Sequence, residues 1–268
     1  MIHALSEAGL RALCEAAAQP LLYAFDFDGT LAPISADRDA VTVSPSTLES
    51  LSDLAKRAPC AIVSGRALAD VATRINGTVP HVLGNHGIES PLTARSVLVK
   101  AEQICEDWKR QLLTGLAAIR SKEPGAGPAP ATGMEIEDKR YSLTVHFRGA
   151  QNAIDAGKEA LTLLRRLTPE PELIEGKYAI NALPPGLGGK GPAAFAFMNH
   201  LGRTGLFYIG DEDTDETVFS LPNAVMMGIR VGRQAGSRAG FYLQDQTEVE
   251  HVLRALVQCM DQSAPPLT

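Results

Sequence analysis

The segment FDFDGTLAP, residues 25–33, continues the apolar run LLYAF of residues 21–25. The apolar run predicts a buried strand, so Asp26 and Asp28 lie at its C-terminal end, two residues apart and on one side of the chain. In open α/β sheets, ligands bind in the crevice at the carboxyl ends of the strands. Two carboxylates there repel each other unless a cation lies between them, and oxygen ligands suit Mg²⁺. A DxD pair alone is also common in turns, whereas DxDGT after an apolar strand favours a metal site.

Short apolar strands alternate with helical patterns on both sides of this segment. This alternation is typical of a parallel sheet with helices on both faces. The predicted elements are helices at 4–18, 46–58, 66–75, 191–201, 214–220 and 247–260 and strands at 21–25, 60–63, 79–83, 206–209 and 223–229. The chain therefore predicts an α/β fold, a Rossmann-like doubly wound parallel sheet.

The middle of the chain breaks this alternation. A long helix at 97–120 precedes a Pro/Gly-rich segment at 121–133, which predicts a mobile loop. Further along, the pattern predicts strands within 134–148, a helix at 151–167 and a hairpin within 172–183 that turns at Glu175–Lys177. We therefore predict a core domain of residues 1–94 and 185–268 and an inserted α+β domain of residues 95–184.

The composition is that of a globular protein, with 268 residues, 45% of them apolar, and a net charge of −6. The negative charge argues against a nucleic-acid partner, and no apolar run approaches the roughly 20 residues that span a bilayer. Glu7, Arg11 and Glu15 interrupt any signal-like stretch at the N-terminus. We therefore expect a cytoplasmic monomer with no membrane partner.

The four cysteines lie far apart and have no CxxC spacing. This argues against zinc or a catalytic disulfide. Reduced, mostly buried thiols are the expectation. The cysteines are Cys14, Cys60, Cys105 and Cys259.

A second acidic segment, YIGDEDTDE at 208–216, also follows an apolar strand. Taken alone, it fits a solvated helix start equally well, because acidic residues favour helix N-termini. Beside DFDGT it favours a metal cleft. Ser64 ends the second strand and offers a hydroxyl, and Lys190 begins a helix whose free N–H groups can bind an anion. The sequence thus predicts carboxylates and anion-binding groups at one edge of the sheet.

The order DFDGT, Ser64, Lys190 and GDEDTDE resembles the four signatures of haloacid-dehalogenase-type (HAD-like) phosphatases. A narrower resemblance, over about residues 20–260, is to the trehalose-6-phosphate phosphatase family. The usual family pattern is SGR, GxHGxE, ExK with HYR, KG and GDDxTDExxF. This chain has VSGR, GNHG with Glu89, EDK with HFR, KG and GDE-TDE-F.

Two departures from the family pattern matter, one in the GDD segment and one in the hairpin. Glu212 stands where the second aspartate of GDD is usual. In the hairpin, Asn181 replaces a sugar-binding glutamate and Leu183 replaces an arginine. The phosphatase residues are untouched by these changes, and the identity of the sugar stays open.

The resemblance implies a role for each core residue. Asp26 is the nucleophile, which forms an aspartyl-phosphate, and Asp28 is the general acid and base. The resemblance also implies catalytic roles for Ser64 and Lys190, which hold phosphoryl oxygens, and for Asp215, which orients Lys190 or a metal-bound water. The implied cofactor is Mg²⁺, held by Asp26, the carbonyl of Asp28 and Asp211.

The resemblance also implies that the inserted domain is a cap, which shuts over the substrate and excludes water. Glu137 and Lys139 face one side of a predicted strand and can bind sugar hydroxyls, although an exposed salt-bridged strand is the alternative. For Arg148, a surface role is equally open. The full set of substrate-binding candidates is Arg66, Asn85, His86, Glu137, Lys139, Arg148 and Asn181.

The activity implied by the resemblance is Mg²⁺-dependent hydrolysis of a small-molecule sugar phosphate, with trehalose 6-phosphate the best match. Two alternatives stay open at this point. One is a sibling phosphatase for another glycosyl phosphate, which the departures at Asn181 and Leu183 motivate. The other is a sugar-phosphate sensor without turnover, against which the complete set of core residues argues.

Overall fold

The computed structural model divides into two compact units. The first unit is Met1–Leu92 with Gly189–Thr268, and the second is Thr93–Gly188. The predicted domain boundaries, 94/95 and 184/185, differ from these by two to four residues. The structure describes residues 1–35, 37–120, 133–176, 178–222 and 225–263.

The strands and helices of the described residues are numbered along the chain. The strands are β1 (Ile2–His3), β2 (Leu21–Phe25), β3 (Cys60–Val63), β4 (His81–Leu83), β5 (Glu135–Asp138), β6 (Leu143–His146), β7 (Glu172–Glu175), β8 (Ala179–Leu183), β9 (Gly205–Gly210), β10 (Val225–Val231) and β11 (Phe241–Leu243). The helices are α1 (Glu7–Ala17), α2 (Pro45–Ala55), α3 (Leu68–Ile75), α4 (Arg95–Arg120), α5 (Ala153–Leu164), α6 (Lys190–His200), α7 (Glu216–Phe219) and α8 (Val249–Ser263).

The first unit is built on a parallel sheet of seven strands in the order β1-β11-β10-β9-β2-β3-β4. From β2 the chain steps outward to β3 and β4, and later from β9 it steps the opposite way to β10 and β11. The strand order therefore reverses between β2 and β9, where open α/β sheets form ligand crevices. The predicted doubly wound parallel sheet is confirmed.

The central strand β2 is buried along its whole length because helices cover both faces of the sheet. Leu21, Tyr23 and Phe25 pack into a core with residues of α1, α2, α3 and α8. Leu22 and Ala24 pack into another core with residues of α6 and α7. Alternate side chains of β2 thus pack against the helices on both faces of the sheet, and this packing fixes the position of the C-terminal end of β2.

The second unit has an antiparallel sheet in the order β5-β6-β8-β7, together with α4 and α5. Its core contains Trp108, whose indole Nε1 donates a hydrogen bond to the carbonyl of Pro169 (2.7 Å), and Leu143 and Ile180 from the sheet. The predicted inserted α+β unit is confirmed.

Some predicted elements differ from the structure at their ends. Helix α1 begins at Glu7, later than predicted, because the Ser6 hydroxyl caps it by accepting from the N–H of Gly9. The short strands β1 and β11, which pair with each other at one side of the sheet, were not predicted. Three predicted features lie outside the described residues. They are the loop at 121–133 apart from Gly133, the turn residue Lys177, and the start of the strand at 223–229.

The prediction of four reduced cysteines is wrong. Cys14 on α1 and Cys259 on α8 form a disulfide across a sequence separation of 245 residues. The two terminal helices pack on each other, which cysteine spacing along the sequence cannot reveal. Cys60 and Cys105 are free and buried, and burial raises the pKa of each thiol to about 12.

Among the helices of the described residues, none combines the length and the apolar character needed to cross a membrane.

Candidate active site

Two aspartates stand at the place where the strand order reverses. Asp26 directly follows β2, and its N–H donates to the carbonyl of Ile209 on β9 (2.9 Å). Asp211 directly follows β9, and its Oδ1 accepts from the Thr30 hydroxyl (3.0 Å). Gly29 has a left-handed φ of 76°, and a Cβ there would lie 2.1 Å from Asp211 Oδ2. The DFDGT turn therefore needs its glycine to let the two strand ends approach.

Lys190, the first residue of α6, lies between two carboxylates. Its Nζ is 2.8 Å from Asp26 Oδ2 and 2.9 Å from Asp215 Oδ1. All three side chains are almost completely buried. A buried lysine with two acidic partners stays charged and keeps a fixed position.

Asp215 is held by more than the lysine. Its Oδ1 accepts from the hydroxyl of Tyr208 on β9 (2.7 Å), and its Oδ2 accepts from the N–H of Glu212 (2.9 Å). Tyr208 was not among the predicted site residues, since a tyrosine in an apolar strand looks like core. The only signal was its spacing, two residues before the Gly210-Asp211 turn.

The acidic side chains of the site carry more negative charge than Lys190 neutralises. Burial raises the pKa of Asp26 well above its usual value, although the charge of Lys190 opposes this shift. Burial, with repulsion from Asp215 and Glu212, raises the pKa of Asp211 to about 7. Burial lowers the pKa of Lys190, but the charges of Asp215 and Asp26 outweigh it and the net shift is upward. A further cation near the carboxylates would relieve this repulsion.

The donor set fits a hard divalent cation. Asp26, Asp211 and Asp215 each offer a carboxylate oxygen, and these oxygens lie within 4.8 Å of one another. Carboxylate oxygens are the ligands that Mg²⁺ prefers. Asp28, predicted to contribute only its carbonyl, has its side chain outside this group.

Ser64 is buried and directly follows β3, the strand that lies next to β2 in the sheet. Its hydroxyl accepts from the N–H of Arg66 (3.1 Å), and its N–H donates to the carbonyl of Leu83 (2.9 Å). These bonds fix the turn between β3 and α3. The predicted hydroxyl donor therefore stands at the same edge of the sheet as Asp26.

Arg66 is also buried, and its partners are acidic. The guanidinium donates to both carboxylate oxygens of Asp28, at 2.6 Å from Nε and 2.8 Å from Nη2. Nη1 donates to Asp70 Oδ2 (2.7 Å). Burial lowers the pKa of Arg66, but hydrogen bonds and charge from Asp28 and Asp70 raise it above the ordinary range.

Asn85 and His86 form a buried turn after β4, and both have left-handed backbones, with φ of 50° and 54°. Their N–H groups donate to the carbonyls of Arg66 (2.7 Å) and Ser64 (2.9 Å), respectively. The Asn85 amide donates to Glu89 Oε2 (2.7 Å), which also accepts from the first N–H of α3 (2.7 Å). This turn is thereby docked on the Ser64 turn.

Arg230 on β10 binds the acidic segment after β9. Its Nη1 donates to the carbonyl of Glu212 (2.9 Å) and to Glu216 Oε1 (3.0 Å). The sequence analysis missed it, although a single charged residue in the apolar run 225–231 was a usable signal.

In the second unit, several polar side chains share one face of the antiparallel sheet. His146 Nε2 lies 2.8 Å from Glu137 Oε2, and Lys139 Nζ lies 3.9 Å from the same oxygen. Asn181 Oδ1 accepts from Lys139 Nζ (3.3 Å) and from the Thr144 hydroxyl (2.7 Å). The predicted residues Glu137, Lys139 and Asn181 therefore come together, and Thr144 is an addition that sequence reasoning missed. We call these five residues the polar face.

Arg148 stands apart from the polar face. It lies two residues beyond the end of β6 at His146. Its guanidinium lies over the ring of Tyr178, 5.2 Å from the centroid. Leu183, the other departure in the hairpin, is buried.

Comparison with known proteins gives both sequence and structural relatives. A sequence profile of the trehalose-phosphatase family matches residues 24–246. A trehalose-phosphate phosphatase of Mycobacterium tuberculosis is 34% identical over 223 residues, which cover 80% of this chain and 54% of the relative. A trehalose 6-phosphate phosphatase of Zea mays is 28% identical over 262 residues, covering 91% and 72%. This chain thus spans about half the length of the mycobacterial relative.

The fold also has solved relatives. A trehalose-6-phosphate phosphatase structure from Aspergillus fumigatus superimposes with a TM-score of 0.62 at 24% identity, covering 96% of this chain and 99% of that one. At this identity the likeness concerns the fold.

Proposed function

The chain belongs to the trehalose-phosphatase family, and from this we propose that it hydrolyses trehalose 6-phosphate to trehalose and inorganic phosphate. The observation that carries the proposal is the buried group of Asp26, Lys190 and Asp215 at the reversal of strand order, within the matched residues. Such a group pairs a carboxylate nucleophile with a fixed positive charge for the phosphoryl oxygens.

In the proposed reaction, an Asp26 carboxylate oxygen attacks phosphorus and the bond from phosphorus to the sugar oxygen breaks. Asp28 gives its proton to the departing sugar oxygen. Water then attacks the aspartyl-phosphate, Asp28 takes a proton from that water, and the bond to Asp26 breaks to release phosphate. Each group returns to its starting state.

Other residues hold the phosphoryl group during both steps. Ser64 and Lys190 bind its oxygens, and Asp215, fixed by Tyr208, keeps Lys190 in position. Asp26, the carbonyl of Asp28 and Asp211 would hold Mg²⁺, with Asp215 close enough to contribute. When bound, the ion neutralises charge on the transferring group.

The second unit is proposed as the cap, with the polar face as its sugar-binding surface. Glu137, Lys139 and Asn181 combine acceptors and donors that suit sugar hydroxyls. Asn85, His86 and Arg148 stay substrate-binding predictions, whereas a different role is proposed below for Arg66.

The direct test is phosphate release from trehalose 6-phosphate with Mg²⁺, beside a panel of phosphorylated mono- and disaccharides and the Asp26→Asn variant as a blank. We expect trehalose 6-phosphate to have the highest kcat/KM. A better substrate elsewhere in the panel would identify a sibling phosphatase, which Asn181 and Leu183 favour. Tight binding without phosphate release would identify a sensor.

A monomeric state and the absence of a nucleic-acid partner stay predictions, the second supported by the net charge of −6. The cytoplasm is also a prediction. The disulfide between Cys14 and Cys259 counts against it, because such bonds are uncommon in reducing compartments.

A further inference from the structure

Arg66 uses most of its donors on acidic and carbonyl partners of its own chain. Nε and Nη2 bind both oxygens of Asp28, Nη1 binds Asp70, and Nη2 also donates to the carbonyl of Arg38 (3.2 Å). A guanidinium has five N–H donors, so at most one remains for a substrate. The side chain is only 7% exposed.

Asp28 is accessible by comparison, with 31% of its side chain exposed. A carboxyl group has free torsions, and a bidentate guanidinium removes them by holding both oxygens in one plane. Asp70 holds the guanidinium from the other side and is itself bound by Arg74 Nε (2.9 Å). The chain Asp28–Arg66–Asp70–Arg74 is therefore a rigid support for one carboxyl group.

We propose that Arg66 is a positioning residue, which aims the Asp28 carboxyl group at the leaving oxygen rather than binding the substrate. This rests on the proposed function, because it assigns proton transfer to Asp28. Each Asp28 oxygen has a second lone pair beside the one that faces Arg66, and the acid proton is carried there. In the step concerned, the phosphorus–oxygen bond to the leaving group breaks, Asp26 gains the phosphoryl group, and this Asp28 proton moves to the departing oxygen. Arg66 loses no proton and forms no bond to the substrate.

The test uses two aryl phosphates that differ in how much their leaving group needs a proton. Phenoxide from phenyl phosphate is a poor leaving group, whereas 4-nitrophenoxide leaves readily without protonation. kcat/KM covers only the steps up to departure of the first product, so it isolates the step in question. We compare the wild type with Arg66→Gln, and with Arg66→Lys, which keeps the charge but cannot hold both oxygens.

General acid catalysis contributes about 10²–10⁴-fold where a proton is needed. We expect Arg66→Gln to lower kcat/KM for phenyl phosphate by about 100-fold and for 4-nitrophenyl phosphate by less than about fivefold. Arg66→Lys should show the same inequality with smaller losses. If Arg66→Gln does not fold, Arg66→Lys decides the matter alone.

Arg57→Gln is the matched control, because Arg57 also binds both carboxylate oxygens of an aspartate, Asp261, but belongs neither to the candidate site nor to the support of Asp28. It should change kcat/KM for the two aryl phosphates by the same factor. Equal losses on both substrates for the Arg66 variants would overturn the proposal and leave Arg66 as a structural or phosphoryl-binding residue. A wild type that hydrolyses the aryl phosphates but not trehalose 6-phosphate would overturn only the proposed substrate, and the aryl comparison would still decide the role of Arg66.

Discussion

The two polar clusters of this protein differ in how firmly the fold holds them. In the first unit, the side chains of Lys190 and Asp26 are 1% and 3% exposed; Asp26 follows the buried strand β2, and Lys190 begins helix α6. On the polar face of the second unit, the side chains of Lys139 and Glu137 are 10% and 19% exposed. The first cluster is fixed by burial and paired charge, and the second is partly exposed to solvent.

This difference teaches what each cluster can do. Buried charges next to a reacting group act strongly because little water screens them, and they are already in place before the reaction. Partly exposed groups can exchange water for sugar hydroxyls at low cost, which suits recognition. Substitutions in the two clusters should therefore differ in size and in the substrates they affect.

The largest effect is expected for Asp26→Asn. An amide is a poor nucleophile, so phosphate release should fall by at least about 10³-fold on every phosphate ester. The fold should survive, because Lys190 keeps Asp215 as a partner and the pKa of Asp26 is already raised by burial. The measurement is phosphate release beside thermal unfolding, and a melting temperature well below the wild type would contradict this account.

A smaller and selective effect is expected for Glu137→Ala on the polar face. Loss of a charged hydrogen bond to the sugar should lower kcat/KM for trehalose 6-phosphate by about 10- to 100-fold, or about 1.4–2.7 kcal/mol. An aryl phosphate has no sugar, so its hydrolysis should barely change. Glu175→Ala on the edge strand β7 is the control and should affect neither substrate. Equal losses on both substrates for Glu137→Ala would mean that Glu137 supports the second unit instead.

The buried cluster of the first unit, which contains Asp211, should make the stability of the protein depend on pH and on Mg²⁺. The pKa of Asp211 is raised from 3.8 to about 7, so the folded state binds this proton more tightly than the unfolded state. Without a divalent cation, the free energy of unfolding should therefore fall as pH rises from about 4 through about 7.

Mg²⁺ offsets this repulsion and should raise the melting temperature by about 5 °C near pH 8 and by much less near pH 5. Thermal unfolding with EDTA or excess MgCl₂ measures the difference. Asp211→Asn should reduce this difference, leaving the part due to Asp26, whose pKa burial also raises, and Asp213→Asn, an exposed acid of the same segment, should keep it in full. An equal effect of Mg²⁺ at both pH values would exclude Asp211 as the cause.

The smallest effect is expected for Asn181→Glu. Its carboxylate would bind Lys139 and sugar hydroxyls more strongly than the amide does, and should raise kcat/KM for trehalose 6-phosphate by about threefold. Asn181→Gln has the same length without the charge and should leave kcat/KM unchanged. A loss of activity in Asn181→Glu alone would indicate that the pocket beside Leu183 favours a different sugar.

The first cluster was largely predictable because its signals are local. A buried strand followed by DFDGT places Asp26 and Asp28, and a second strand followed by GDEDTDE places Asp211 and Asp215. The partners that fix these residues were not predictable in the same way. Tyr208 looks like core in an apolar strand, and the bond from Arg66 to Asp28 depends on side-chain torsions that no spacing encodes.

The second unit shows the same limit at larger scale. Alternation predicted that Glu137 and Lys139 share a side, but Thr144 and Asn181 join them only through the pairing of β6 with β8. Arg148, which alternation placed on the same side as His146, lies over the ring of Tyr178 instead. Pairing between strands distant in sequence carries this information, and a single sequence holds little of it.

The disulfide between the first and last helices has a mechanical consequence. A tensile load applied to Met1 and Ser263 would run from α1 through the two sulfur atoms into α8, because Cys14 and Cys259 are covalently joined. Once β1, which lies before Cys14, has been pulled away from β11, the chain between these cysteines, which contains β2 to β11, would carry none of that load. Only the short stretches outside Cys14 and Cys259 would extend, until the sulfur bridge is reduced and the enclosed chain can be unravelled from its ends.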